Sequence, residues 1–168
     1  MKKNILTLLI FVGVLLIQIF FNEYIEILEV KPDLILIALL ISALYVSPVF
    51  LIFLGFVFGL MQDWLMLTPL IGLSPLLKTI FVFTAVKSVQ KFKAFPNIVL
   101  LSVELLLLFL YFVFYNSISL LRIRLSFSNV ILNYSIPEFL YSGILFIAFY
   151  YLVLYYKKIE NNNYAFSE

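Results

Sequence analysis

An all-helical integral membrane protein, folded as a bundle of six transmembrane helices, is what this sequence predicts, and three observations carry the prediction. Hydrophobic residues make up 65% of the chain, aromatics 18% and charged residues only 12%, where a soluble domain carries about 25% charged residues. Apolar runs recur along the 168 residues, with lengths that reach toward the roughly 20 residues needed to cross a bilayer. The charges gather in the connectors between those runs, lysines in some and carboxylates in others. In water, faces this apolar would all have to be buried, which a chain of this size manages for one helix and not for the whole sequence.

The first span is expected over residues 5–21. Met1-Lys2-Lys3 ahead of it resembles the start of a signal peptide, but bulky or acidic residues follow where a small-x-small cleavage site belongs, so the segment is read as a retained helix. The connector NEYIEILEVKPD sets Glu23, Glu26, Glu29 and Asp33 against a single Lys31. Pro32 presets the next helix start, and Asp33 falls in its first turn, where a carboxylate suits the positive end of the helix dipole. Residues 34–46 form the second span, Ser47-Pro48 breaks it, and 49–61 form the third. Both are about 13 residues long, short for a full crossing, so they sit upright, thin the bilayer or form a compact hairpin. Thr68, Pro69, Gly72, Ser74 and Pro75 then rule out one continuous helix, and residues 62–73 are left as a surface loop or a re-entrant turn. The fourth span is expected at 74–89, followed by Lys91, Lys93 and the Pro96-Asn97 turn, and the fifth at 98–120. Arg122, Arg124 and the Ser/Asn-rich piece from Ser126 to Ser135 read as a connector. Pro137 and Glu138 open the sixth span, 138–156, which stops at Lys157-Lys158 ahead of a polar tail.

With six spans the connectors alternate sides. Lys2, Lys3, Lys87, Lys91, Lys93, Lys157 and Lys158 then share one side and the acidic connector lies opposite, which places both termini in the cytoplasm. Tyr24, Trp64, Tyr134, Tyr155 and Tyr156 fit an interfacial aromatic belt, and no internal repeat argues for an inverted-repeat transporter.

Candidate chemistry is sparse. The chain has no Cys and no His, which removes disulfides, thiolate metal sites and the commonest general base and transition-metal ligand. No catalytic set, metal site, cofactor or nucleic-acid surface is expected. Lys78 and Glu104 are the charges deepest in the spans, and counting from the connectors puts both roughly 10 to 14 Å from the same face. They are expected to pair, since an unpaired charge at mid-span costs on the order of 2.5 to 3.5 kcal/mol; a proton or substrate site is the functional alternative. Ser74 and Lys78, four apart, share a helix face as a Ser-Lys dyad would, yet Ser74 before Pro75 reads more economically as an N-cap. Asp63 is either the polar end of a span or a protein contact, and one carboxylate alone is a poor cation site. Gly55, Gly59 and Asp63 fall on one stripe at i, i+4, i+8 that lets another backbone approach closely. That stripe is expected to receive a helix, from its own bundle or from a single-span partner, with docking of the partner as the functional hypothesis.

Three passages resemble one family, the rod shape-determining protein MreD: Pro32-Asp33-Leu34; Gly55-Phe56-Val57-Phe58-Gly59-Leu60-Met61-Gln62-Asp63; and Pro69-Leu70-Ile71-Gly72-Leu73-Ser74-Pro75-Leu76. The resemblance is detailed over roughly residues 30 to 80 and elsewhere rests on hydropathy and length. It implies a non-enzymatic subunit of the bacterial elongation machinery in the cytoplasmic (inner) membrane. Its implied partners are an MreC-like single-span protein, a SEDS glycosyltransferase and a class B penicillin-binding protein acting in lateral peptidoglycan synthesis. The family is also similar in architecture to the substrate-binding subunits of energy-coupling-factor importers, so the alternative function is binding of a small vitamin-like ligand.

Overall fold

The structure, a computed structural model, describes residues 2–20, 30–66, 68, 70–92, 95–120 and 126–165, with side-chain detail between residues 4 and 156. The described residues are helical, with no strand: α1 (Lys2–Phe20), α2 (Leu34–Ser42), α3 (Pro48–Leu65), α4 (Leu73–Phe92), α5 (Asn97–Ser119), α6 (Phe127–Val130), a π-helical turn (Ile131–Ser135) and α7 (Ile136–Ala165). Pro48–Leu65, Asn97–Ser119 and the run Phe127–Tyr156 are long and apolar enough to cross a membrane.

The short helix α2 is the innermost. Ile35, Leu36, Ile37, Leu39, Leu40 and Ile41 are buried around its whole circumference, the pattern of a helix enclosed by others and not of an amphipathic surface helix. It packs against α1, α3, α4, α5 and α7. At nine residues and about 1.5 Å per residue it rises only about 13 Å, so the expected second span, 34–46, is here a buried core helix that ends at Ser42. The long helices around it put apolar side chains outward. On α3, Val49, Phe53, Phe56, Leu60 and Trp64 are exposed while Leu51, Leu54 and Phe58 are buried. Helix α1 buries the face formed by Phe11, Leu15 and Gln18, with the Phe11 ring 5.5 Å from that of Phe58.

Helices α3 and α4 form the closest pair. A Cβ added to Gly59 would lie 2.6 Å from the Pro75 Cα and 2.8 Å from its nitrogen, and one added to Gly55 would lie 3.6 to 3.7 Å from Val82 and the Lys78 backbone. The stripe of Gly55, Gly59 and Asp63 is therefore filled by the chain's own fourth helix. This corrects the hypothesis that it docks a partner, for the reason that backbone already occupies the space a partner would need. Gly13, by contrast, meets nothing within 4 Å.

Element boundaries also shift. The third span runs on to Leu65 and the fourth to Phe92, and between them the Thr68 N–H donates to the Asp63 carbonyl and the Leu73 N–H to the Leu70 carbonyl. Ser126 to Ser135, expected as a connector, is instead helical from Phe127 and passes through the π turn into α7. Pro137 explains the local geometry: its ring crowds the carbonyl of the residue four before it, Asn133, and it has no N–H to donate. Widening the helix at residues 131–135 accommodates that without breaking the rod. The expectations for Glu23, Glu26, Glu29, Lys93, Arg122, Arg124 and the side chains of Lys2, Lys3, Lys157 and Lys158 lie outside the described residues.

Candidate functional site

The polar residues of this apolar bundle converge on the N-terminal end of α2. Asp33 caps that helix, its Oδ1 accepting the Leu36 N–H at 2.9 Å, which satisfies one of the donors a helix start leaves open. Its Oδ2 accepts from the Lys78 ammonium at 2.5 Å and from the Tyr111 hydroxyl at 3.2 Å. Lys78 is fully buried, and each of its three protons has an acceptor: Asp33, the Gln62 Oε1 at 2.6 Å and the Tyr111 oxygen at 3.1 Å. Tyr111 thus accepts from the lysine and donates to the aspartate, and its ring centroid lies 5.3 Å from the Lys78 Nζ. Gln18 of α1 accepts the Ile35 N–H at 3.1 Å, and Ser142 of α7 accepts the Asp33 N–H at 3.4 Å. Gln18, Asp33, Gln62, Lys78, Tyr111 and Ser142 come one each from α1, the cap of α2, α3, α4, α5 and α7, so the long helices meet at one charged junction.

This arrangement corrects the expected Lys78–Glu104 pair. Helices α4 and α5 pack side by side, the Phe95 N–H ahead of α5 donates to the Phe92 carbonyl at the end of α4 at 2.9 Å, and residues equidistant from that point lie at one level. Lys78 is 14 residues before Phe92, and Tyr111 is 14 residues after Asn97 (92 − 78 and 111 − 97), about 21 Å along each helix. Glu104 is only 7 residues after Asn97, about 10 Å, and its level on α4 is that of Ala85 and Val86. The counting from sequence began at Lys87, but α4 continues to Phe92, and those extra residues move Lys78 away from Glu104. Glu104 is fully buried and neither of its oxygens has a hydrogen-bond partner.

Asp63 closes the α3–α4 turn. Its Oδ2 accepts the Gly72 N–H at 2.8 Å and the Ser74 N–H at 3.2 Å, and Gly72 sits at φ +100°, a conformation that disfavours other L-residues. Asp63 is thus fully buried against its own chain. Ser74 is also buried, but the Lys78 protons go elsewhere, so a Ser-Lys dyad has no available base. Pro32 is buried directly before the capping Asp33. A second, smaller cluster joins α5 to the π turn: the Asn116 Nδ2 donates to Glu138 at 2.7 Å and to Ser135 at 3.5 Å, and the Ser135 hydroxyl donates to the Phe112 carbonyl at 3.3 Å. Gln18, Gln62, Tyr111, Asn116 and Ser142 were missed in the sequence. For Gln18 and Tyr111 the signal was a single polar side chain within an apolar run, as in LLIQIF and LFLYFVF, whereas Gln62, Asn116 and Ser142 each stand beside another polar residue.

Beside the junction, at the end of the bundle opposite Lys87 and Lys91, lies a cavity of about 230 Å³ walled in part by Gln18, Asp33, Gln62, Tyr111, Tyr115 and Glu138. Among the described residues no group of acidic side chains is placed to hold a metal ion.

These features define a helical membrane protein in which the buried Asp33–Lys78 pair links the cap of α2 to α4. The chain belongs to the family of the rod shape-determining protein MreD, whose family model matches residues 2–159. That family consists of shape-determining proteins of the inner membrane, part of the rod-shape machinery that includes MreC. No curated protein and no solved structure matches the chain.

Proposed function

We propose that this chain is a non-enzymatic membrane subunit of the elongation machinery, binding an MreC-like single-span partner and supporting lateral peptidoglycan synthesis and cell shape. The observation that carries this reading is the family match along nearly the whole chain. The site supports it, because Lys78, Asp33 and Asp63 are all engaged in holding helices or turns, which leaves them fixed and unavailable for acid-base work. In this reading the bundle crosses the membrane with both termini in the cytoplasm, the cavity opens outward, and the SEDS glycosyltransferase and class B penicillin-binding protein assemble around it. The vitamin-like ligand of the alternative is poorly served by a cavity of about 230 Å³, below the roughly 300 to 1,000 Å³ of sites for such molecules.

The test is depletion in the source cells together with affinity purification of the tagged chain in mild detergent. Rounded cells on depletion and recovery of the MreC-like protein in stoichiometric amount are expected. Unchanged rods with no recovered partner would sink the reading.

A further inference from the structure

Along the outward face of α4 runs a strip that is apolar for most of its length and cationic at one end. Leu76, Ile80 and Phe83 are each about half exposed, and Lys87 and Lys91, both exposed, continue the row at the three- and four-residue steps that stack side chains on one helix face. From Leu76 to Lys87 the rise is about 16 Å, the depth of one leaflet of a hydrocarbon core about 30 Å thick. The pairing with α3 fixes where the strip ends. Gly59 faces Pro75, and Gly55 faces Lys78 and Val82; carried on in this antiparallel register, Lys87 comes level with Pro48, where the apolar helix α3 begins. Lys87 therefore stands at the membrane boundary, with Lys91 about 6 Å beyond it.

Two cations four apart on a helix destabilise each other, and each of these leans over an aromatic ring, Lys87 over Phe83 and Lys91 over Phe92, at 5.6 Å from nitrogen to ring centroid. The described acidic side chains supply no counter-charge there. Asp33, Asp63 and Glu138 are engaged at the opposite end of the bundle, and Glu104, though at a similar depth to Lys87, is sealed inside with neither oxygen hydrogen-bonded. Nor is the strip like the rest of the outward surface, since α3 and α5 contain no Lys or Arg. Its occupant must be apolar over about 16 Å and anionic at one end. An inorganic anion lacks the first property and a neutral lipid the second, while an acidic peptide at the lysines would leave the apolar strip to bulk lipid. We propose that this strip binds an anionic phospholipid, an acyl chain lying along Leu76, Ile80 and Phe83 and the phosphate between Lys87 and Lys91. The leaflet is the cytoplasmic one in the orientation proposed above, and the site stands whichever way the chain is inserted.

The test titrates the full-length chain in mild detergent with dioleoylphosphatidylglycerol or dioleoylphosphatidylcholine, which share their acyl chains, and reads bound lipid by native mass spectrometry. Expected are tighter retention of the phosphatidylglycerol, binding about fivefold weaker for each lysine removed in Lys87→Gln and Lys91→Gln, retention in Lys87→Arg/Lys91→Arg, and weaker binding by Ile80→Gln with both lysines intact. Excess inorganic phosphate should not displace the lipid. Equal retention of the two lipids by the unmodified chain would overturn the proposal, as would unchanged binding by a folded Lys87→Gln/Lys91→Gln chain. Displacement by phosphate, or loss of binding with the lysines but not with Ile80→Gln, would overturn it in favour of a free anion or an acidic peptide. If the variants unfold, the unmodified chain decides: its preference for phosphatidylglycerol must fade at high salt, and a preference that salt leaves unchanged contradicts the site.

Discussion

Lys78 occupies a fully buried position in which a cation survives only because three acceptors surround it. Removing the cation alone leaves the Asp33 carboxylate without its counter-charge, so Lys78→Met is expected to cost about 3 to 5 kcal/mol, read as a lower thermal midpoint in detergent. Glu104 should behave in the opposite sense. Its oxygens lack partners, and Glu104→Leu removes a group that gains nothing from burial; the midpoint should hold or rise. Glycines separate in the same way: Gly59→Ala drives a methyl into the Pro75 backbone and should destabilise strongly, while Gly13→Ala, with open space around it, should leave the midpoint within error. That Lys78 needed a partner was legible in the sequence, because depth alone makes an unpaired charge untenable. Which partner was not, because a few residues of error in a helix end shift its level by several ångströms.

Elements here owe their boundaries to single residues. Asp63 and Gly72 together make the α3–α4 turn, the carboxylate receiving the glycine N–H and the glycine adopting φ +100°. Gly72→Ala imposes a side chain on that conformation and is expected to cost about 1 to 3 kcal/mol, seen as increased protease sensitivity between α3 and α4 ahead of global unfolding. Ser47-Pro48 and Pro96-Asn97 were legible as a break and a turn because proline has no N–H to continue a preceding helix and disfavours the helical conformation in the residue before it. Ser126 to Ser135 was not, because polar composition and a following proline are the ordinary marks of a loop, and Pro137 reads as readily as a helix start as it does as the cause of the π turn that lets the helix continue. The second span reads as apolar for 13 residues but folds as nine, a difference set by the helices that enclose it and not by its own sequence.

At the scale of the molecule, composition was enough for an all-helical membrane protein, while the convergence of α1, α3, α4, α5 and α7 on the cap of α2 depends on contacts distant in sequence. The proposed orientation predicts that cysteines replacing Lys31 and Lys91 label from opposite sides of the membrane with an impermeant reagent. Labelling of both from one side would contradict it. The central claim is that the Asp33–Lys78 pair ties the bundle together, and a double-mutant cycle of unfolding free energies tests it most directly. Asp33→Asn keeps a good N-cap while removing the charge, so that variant, Lys78→Met and their combination isolate the ion pair. The account predicts that the double variant is less destabilised than the sum of the singles by about 1 to 3 kcal/mol, with Lys78→Met and Glu104→Gln strictly additive. Additive losses at Asp33 and Lys78, with coupling between Lys78 and Glu104 instead, would contradict it.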